Sequence, residues 1–249
     1  MVATARNPSD ITKQFGEHDR LLAIKLDVTK EAEAHEAVGT AIKTFGRIDV
    51  LINNAGYGLL GAVEEASAKE TEQLYATNVF GLLNVTRAVL PHMRRQRSGH
   101  VINISSVGGY SAYPGWGVYG STKFAVEGIS EALAAEVAPL GINVTVVEPG
   151  FFRTDFLDDQ SLKRTAIEIG DYAASVGKTR SHAADFNHGQ RGDPAKLAQA
   201  MIKLVNAQTP PTRLPLGSDT LERIAAKHAH VESEVAAWRT VATSTDWTD

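Results

Sequence analysis

The sequence predicts an α/β fold, a doubly wound parallel sheet flanked by helices, and three observations carry that prediction. Short β-branched runs alternate with longer helical patterns along most of the chain, so each return to a strand is a crossover and the strands run parallel. The stretch Val144-Thr145-Val146-Val147 is apolar in character, as a strand covered on both faces requires. At 249 residues the chain fits one large domain, spanning 1–249, that buries its core without disulfides or metal.

The elements follow in order. Residues 1–5 have the composition of a strand, and Arg6-Asn7-Pro8 turns the chain. Strands are expected at 21–28, 48–55 and 100–106, with helices over about 30–45 and 67–96 between them. A helix near 119–139 leads to a strand at 142–149. From 151 to 190 the pattern dissolves, over a length greater than an idle loop has, and such a segment is expected to cover a site. A helix from about Asp193, a short strand at 212–217 and an amphipathic helix near 219–239 complete the domain. In that last helix Leu221, Ile224, Ala225, His228, Val231 and Val235 share one stripe, which reads as packed against the body. Residues 242–249 read as a frayed tail.

Composition narrows the function classes. With 43% hydrophobic and 22% charged residues and a formal net charge of -4, the chain has no excess of positive charge for nucleic acid or an anionic membrane. It contains no cysteine, which excludes disulfides, thiolate metal sites and a cysteine nucleophile. No apolar run approaches the roughly 18 residues of a spanning helix, and the N-terminus lacks a signal-peptide pattern, so no membrane partner and a cytoplasmic location are expected. His182 and His188 lack further ligands at characteristic spacing, so no metal site is assigned.

Chemistry concentrates in Tyr119-Gly120-Ser121-Thr122-Lys123. Four residues apart on a helix, the phenol and the ammonium share one face and can address one bound molecule. A nearby Lys favours phenolate, moving a group of unperturbed pKa about 10 towards acid/base work near neutrality. Alone the pair is a weak signal and reads first as a solvated helix face. Ser106 ends a strand at the edge where open α/β sheets hold ligands, and its hydroxyl suits a carbonyl oxygen, or else a turn into Val107-Gly108-Gly109. Asn53-Asn54-Ala55-Gly56 also ends a strand, and its glycine lets a flat ligand approach the backbone. Asn78, placed mid-helix, either faces solvent or bonds something specific.

Taken in order, LDVT (26–29), NNAG (53–56), NVFG (78–81), ISS (104–106), YGSTK (119–123) and PGFFRT (149–154) resemble the short-chain dehydrogenase/reductase family over roughly residues 1–155. The resemblance implies a Rossmann-like domain, an NAD(P)-dependent oxidoreductase and a catalytic tetrad of Asn78, Ser106, Tyr119 and Lys123. It implies that Tyr119 exchanges a proton with the substrate oxygen while Ser106 orients that oxygen. Lys123 would hold the nicotinamide ribose and depress the Tyr119 pKa, and Asn78 would anchor a water linking Lys123 to solvent. It places Asp27 and Val28 by the adenine, Asn54, Ala55 and Gly56 along the cofactor, and Pro149, Gly150, Phe152 and Thr154 at its nicotinamide end. It also implies homodimers or homotetramers built on the helices at 67–96 and 119–139.

Cofactor choice is read at the end of the opening strand. An acid there would bond the ribose 2′-OH of NAD, whereas an arginine pairs with a 2′-phosphate. The residues present are Thr4-Ala5-Arg6-Asn7, so NADP(H) is favoured over NAD(H), the alternative being that Arg6 is a solvated surface charge. The family opens with a strand, a TGxxxGxG turn and a helix, and this first β-α unit is missing from the numbered chain. Either a start read too late or a truncation is expected, with the phosphate cradle and a central strand lost. Gly56, Gly58 and Gly61 satisfy GxGxxG, but an acidic loop rather than a helix is expected to follow, so the match reads as a decoy.

Tyr110, Tyr113, Trp116, Phe151 and Phe156 surround these motifs and either wall a pocket for a hydrophobic ketone or secondary alcohol, or pack in the core. Two other readings stay open: a lyase or epimerase using the same tyrosine and lysine, and a non-catalytic binding protein.

Overall fold

The structure, a computed structural model, describes residues 1–247. The chain opens with β1 (Val2–Ala5), turns at Asn7-Pro8 into a short helix α1 (Ser9–Phe15), and returns as β2 (Leu22–Lys25), which pairs parallel to β1 with Val2 opposite Leu22. Helix α2 (Glu31–Phe45) carries Glu31 and Glu33 in its first turn, where carboxylates complement the helix N-terminus, and stops at Gly46 in the left-handed region with φ 79°. β3 (Val50–Asn53) and the buried β4 (Gly58–Leu60) lead to α3 (Ala68–Tyr75), which opens on a reciprocal Ser67–Glu70 capping box.

The run expected as one helix over 67–96 is continuous but interrupted. α3 passes through a π turn at Ala76–Gly81 into α4 (Leu82–Gln96), and such turns recur at functional sites. β5 (Gly99–Ile104), α5 (Gly117–Val137) and β6 (Ile142–Pro149) follow as expected. The segment 151–190 holds two elements that periodicity did not disclose, β7 (Leu162–Arg164), paired parallel with β4, and α6 (Lys178–Asp185). α7 (Pro194–Val205) starts at Asp193, whose carboxylate caps it by accepting from Ala195 N at 2.9 Å, and β8 (Arg213–Leu216) and α8 (Ser218–Thr243) close the order.

The main sheet is parallel, in the order β3-β5-β6-β8, with Val50 opposite His100, Gly99 opposite Ile142 and Val146 opposite Arg213. β1 and β2 form a separate pair, so one edge of β1 and one edge of β3 lack a strand partner among the described residues. The parallel strands are thus interrupted by a break between β1 and β3. Packing spans it: Leu26, Val85, Val89, Val101 and Val144 belong to one apolar cluster.

Two expectations need correction. The stripe of α8 is not packed against the body: Leu221 is 57% and Val235 53% exposed, and Ala225, His228 and Val231 are also exposed, leaving only Ile224 half-buried. The cause is that only the first turns of α8 touch the fold. The tail expected from Ala242 is also shifted, since Ala242 and Thr243 still belong to α8, while Thr248 and Asp249 lie outside the described residues. The glycine triplet behaves as a decoy should: Gly58–Leu60 is strand β4, and α3 opens only at Ala68.

Candidate active site

The C-terminal ends of β3, β5 and β6 meet the first half of α5 around a cavity of about 420 Å³. This edge is where open parallel sheets bind ligands. Ser106, Tyr119 and Lys123 share its wall with Asn54 and Gly56. Pro149, Gly150, Phe152 and Thr154, from the turn after β6, close another side. Ala55 is exposed between its two neighbours.

Ser106 and Tyr119 are brought together by glycine. The short turn Val107–Gly109 lies directly on α5, and a Cβ at Gly109 would come within 2.9 Å of Lys123 Cβ. Ser106 Oγ accepts from Gly108 N at 3.0 Å, which fixes its rotamer. Asn78, in the π turn, is fully engaged rather than solvated: its amide donates to Tyr57 O at 3.0 Å and Thr122 Oγ1 at 3.1 Å and accepts from Tyr57 N at 3.1 Å. It thereby clamps the loop after β3 to α5, at the back of the cavity. A Cβ at Gly56 would sit 3.1 Å from Asn78 Oδ1 and 3.7 Å from Lys123 Nζ, so the bare backbone there leaves room for a flat ligand.

Electrostatics differ from the sequence expectation at one point. Lys123 is buried, its Nζ donates to Ile104 O at 2.8 Å, and burial pulls its pKa down to about 8, with Glu127 opposing. Tyr119 is not depressed. Its burial, with Tyr113 beside it, holds the phenol well above the ordinary tyrosine range, and Ser106 is the neighbour that favours the phenolate. The reason is that Lys123 spends its hydrogen bond on a carbonyl, so burial outweighs it at the phenol.

The residues assigned to the adenine end lie outside this cavity. Asp27 accepts from Thr29 Oγ1 at 2.7 Å and from Thr29 N at 3.0 Å, and these bonds hold its carboxyl below the usual range, with Lys30 and Arg6 contributing. Val28 O accepts from Asn84 Nδ2 at 2.9 Å, which ties the end of β2 to α4. Arg6 is exposed just past β1.

Three residues were missed from the sequence. Gln190 lines the cavity, is 2% exposed, and its Oε1 has no partner among the described residues. Asp219, at the start of α8, accepts from Phe151 N at 2.8 Å and so holds the turn after β6. Glu65, expected in an acidic loop, is buried and accepts from Ala62 N at 2.6 Å, Ile169 N at 2.7 Å and Arg180, which ties the segment after β7 to the body. Only Glu65 had a signal, as one of the two adjacent acids in the apolar and small-residue run 61–68. His188 meets Asp158 at 3.3 Å near Asp155, and His182 stacks on Phe186.

The short chain dehydrogenase family matches residues 1–165 of the chain. The chain belongs to that family. This short-chain dehydrogenase is 42% identical over 215 residues to the 3-ketodihydrosphingosine reductase of Bacteroides thetaiotaomicron, covering 86% of this chain and 77% of the relative. It is 39% identical over 236 residues to oxidoreductase BOA17 of Botryotinia fuckeliana, covering 94% of this chain and 85% of that protein. A crystal structure of a short-chain dehydrogenase from Streptomyces avermitilis superposes with a TM-score of 0.89 at 39% identity, over 98% of this chain and 90% of the other. As in the family, the activity is nicotinamide-dependent hydride transfer by an oxidoreductase.

Beyond Lys123 in this dehydrogenase sits a partly buried ion cluster, with Glu127 and Glu148 buried and Glu131 exposed. Arg213 bonds Glu127, one turn beyond Lys123 on α5, together with Glu148 at 3.1 Å and Glu131 at 2.7 Å. Burial pushes the Glu127 carboxyl up to about 7.

Proposed function

We propose that the chain is an NADP(H)-preferring reductase or dehydrogenase of a hydrophobic ketone or secondary alcohol. One observation carries the reading: Ser106, Tyr119 and Lys123 share a cavity whose wall also includes Tyr113, Trp116 and Phe156. Trp116 and Phe156 stack at 6.4 Å and both lie against Tyr119, so the phenol opens onto apolar surface suited to an apolar carbonyl compound. The keto-reductase name of the Bacteroides relative supports the same direction of chemistry.

The residues fit the cofactor at its nicotinamide end, where the Gly56 backbone, bare of a side chain, faces Lys123 and the unpartnered Gln190 Oε1 offers an acceptor. Asn54, Gly56, Pro149, Gly150, Phe152 and Thr154 would hold that end, Lys123 the ribose, Asp27 and Val28 the adenine, and Arg6 a 2′-phosphate. When bound, the nicotinamide supplies or takes the hydride. Tyr119 gives its phenolic proton to the carbonyl oxygen during reduction and takes it back during oxidation. A phenol kept protonated by burial is in the form that reduction needs. Ser106 donates to the same oxygen and fixes its position, and Asn78 holds the loop bearing Gly56. Segment 151–190 acts as the lid over the substrate, supported by Phe156, Leu157 and Gln190 in the cavity wall. Assembly on the π turn and α5 is supported by the exposed Phe80 and Phe124.

The test is a fluorescence titration of NADPH and NADH with an Arg6→Ala variant, followed by turnover on a panel of apolar ketones. Preference for NADPH that Arg6→Ala abolishes supports the reading. Equal affinity for both cofactors sinks the 2′-phosphate assignment, and conversion without net NADPH consumption would point to a lyase or epimerase.

A further inference from the structure

The ion cluster beyond Lys123 does not balance by itself. Glu127 and Glu148 are 5% and 1% exposed and share one cation, Arg213, whose Nη1 meets both carboxylates. Glu131 also meets Arg213, but its side chain is 69% exposed and water screens it. Two buried carboxylates against one guanidinium leave one negative charge in the interior, which is costly without a partner. Lys123 supplies the missing cation, being the only lysine or arginine that is buried among the described residues. Its Nζ donates to Ile104 O at 2.8 Å, a neutral acceptor that offsets none of its charge. Taken together, Glu127, Glu148, Arg213 and Lys123 carry two charges of each sign.

The helix sets the pair in reach of each other. Glu127 lies four residues beyond Lys123 on α5, one turn along the same face, where side chains start about 6 Å apart. Only Gly109 lies against the lysine stem there: a Cβ on it would come within 2.9 Å of Lys123 Cβ and 2.6 Å of Ser105 Oγ. Ser105 stands beside the Glu127 carboxyl and favours its ionised form. Glu127 Oε1 is buried without a hydrogen-bond partner among the described residues, so that half of the carboxylate acts by charge alone, undamped by water.

We propose that Glu127 is a positioning residue of the reaction that acts through Lys123, its carboxylate being the counter-charge that keeps the Lys123 ammonium protonated. The role rests on the reading of Lys123 as the cation that holds the cofactor ribose. Burial alone works against that cation, drawing it down to about 8 even with Glu127 opposing. Glu127 ionises at about 7, so the counter-charge is in place before Lys123 begins to lose its proton. The other titratable groups around the pair do not take over this part. Tyr119 is held protonated by burial, and Tyr110 has its ring 5.7 Å from the Arg213 guanidinium. Lys227, His228 and Glu232 of α8 face Glu127 only across a solvent-filled groove.

Carbon-13 at the lysine Cε reads the charge of each lysine in the free chain. With its signal assigned by loss in Lys123→Met, Lys123 should titrate at about 8 and show a second inflection at about 7, where Glu127 ionises. Glu127→Gln, which keeps the shape of the carboxyl, should move the main step down by about one pH unit and erase the second inflection. Glu127→Asp retains the charge and should restore both, and Glu131→Gln should move neither. The alkaline limb of kcat/KM for reduction of an apolar ketone should shift down by the same interval in Glu127→Gln, whereas a merely structural loss lowers activity at every pH without moving the limb. A wild-type Lys123 signal without the second inflection, an unmoved step in Glu127→Gln, or an equal shift in Glu131→Gln overturns the proposal. The first of these needs no variant, so it decides even where Glu127→Gln does not fold. A shifted Lys123 step in a chain that turns over no ketone upholds the counter-charge and overturns the reductase reading instead.

Discussion

Lys123 Nζ lies 5.8 Å from the centre of the Tyr119 ring and donates instead to the carbonyl of Ile104, at 2.8 Å. The two residues share a helix face and a cavity, yet the lysine acts on the phenol across space rather than through a hydrogen bond. Burial therefore governs both, raising the phenol and lowering the ammonium.

Removing the phenolic proton should affect the chemical step and little else. Tyr119→Phe is expected to lower kcat/KM by about 10²–10⁴-fold, the usual contribution of a placed acid/base group. NADPH affinity, measured by fluorescence titration, should stay close to wild type, because the ring and its packing against Trp116 remain.

Lys123 should lower stability in a pH-dependent way. Its pKa falls from 10.5 in the unfolded chain to about 8 in the fold, so the charged form is disfavoured on folding. The penalty is fully present below about 8 and disappears as pH rises towards 10.5. Lys123→Met is thus expected to raise Tm at neutral pH, with the gain shrinking through that window, while turnover falls. Thermal melts across the window check it, and a gain independent of pH would refute the assignment.

Arg213 should matter most when Glu127 is ionised. Arg213→Met leaves Glu127 and Glu148, 5% and 1% exposed, without their shared cation, and the loss should fall below the about 3–5 kcal/mol of a fully buried pair because the Arg213 side chain is 33% exposed. Glu127 has its pKa raised from 4.5 to about 7, so its own burial penalty is absent below 4.5 and complete above about 7. The drop in Tm should therefore be larger above that value than below it.

Glu65 should control the segment that covers the cavity. Glu65→Gln weakens its bonds to Arg180 and the Ile169 amide. The expected result is faster limited proteolysis within 166–180 and a raised KM for substrate with little change in kcat. An unaltered digestion pattern would show that β7 and its pairing with β4 hold the segment without the glutamate.

Much of the fold was legible because crossover strands and helices leave periodic signals, and the helices at 31–45 and 117–137 fall within two residues of expectation. The site was legible because its residues end strands or share a helix face, and the cavity wall includes Ser106, Tyr119 and Lys123 as the motifs required. Gln190, Asp219 and the Arg213 cluster were not legible. Each works through partners 65 or more residues away, or through burial alone, and neither leaves a local pattern.

Local periodicity and motif order by themselves determined the parallel α/β architecture, the family and the gathering of Ser106, Tyr119 and Lys123 on one cavity wall, because strand ends and one helix turn position those groups wherever the fold forms. Only the tertiary structure decided the charge states around Tyr119 and Lys123, the anchoring of segment 151–190 by Glu65, and the exposure of the α8 stripe. Those depend on desolvation and on contacts between distant segments, and burial exists only once the chain has closed around the group.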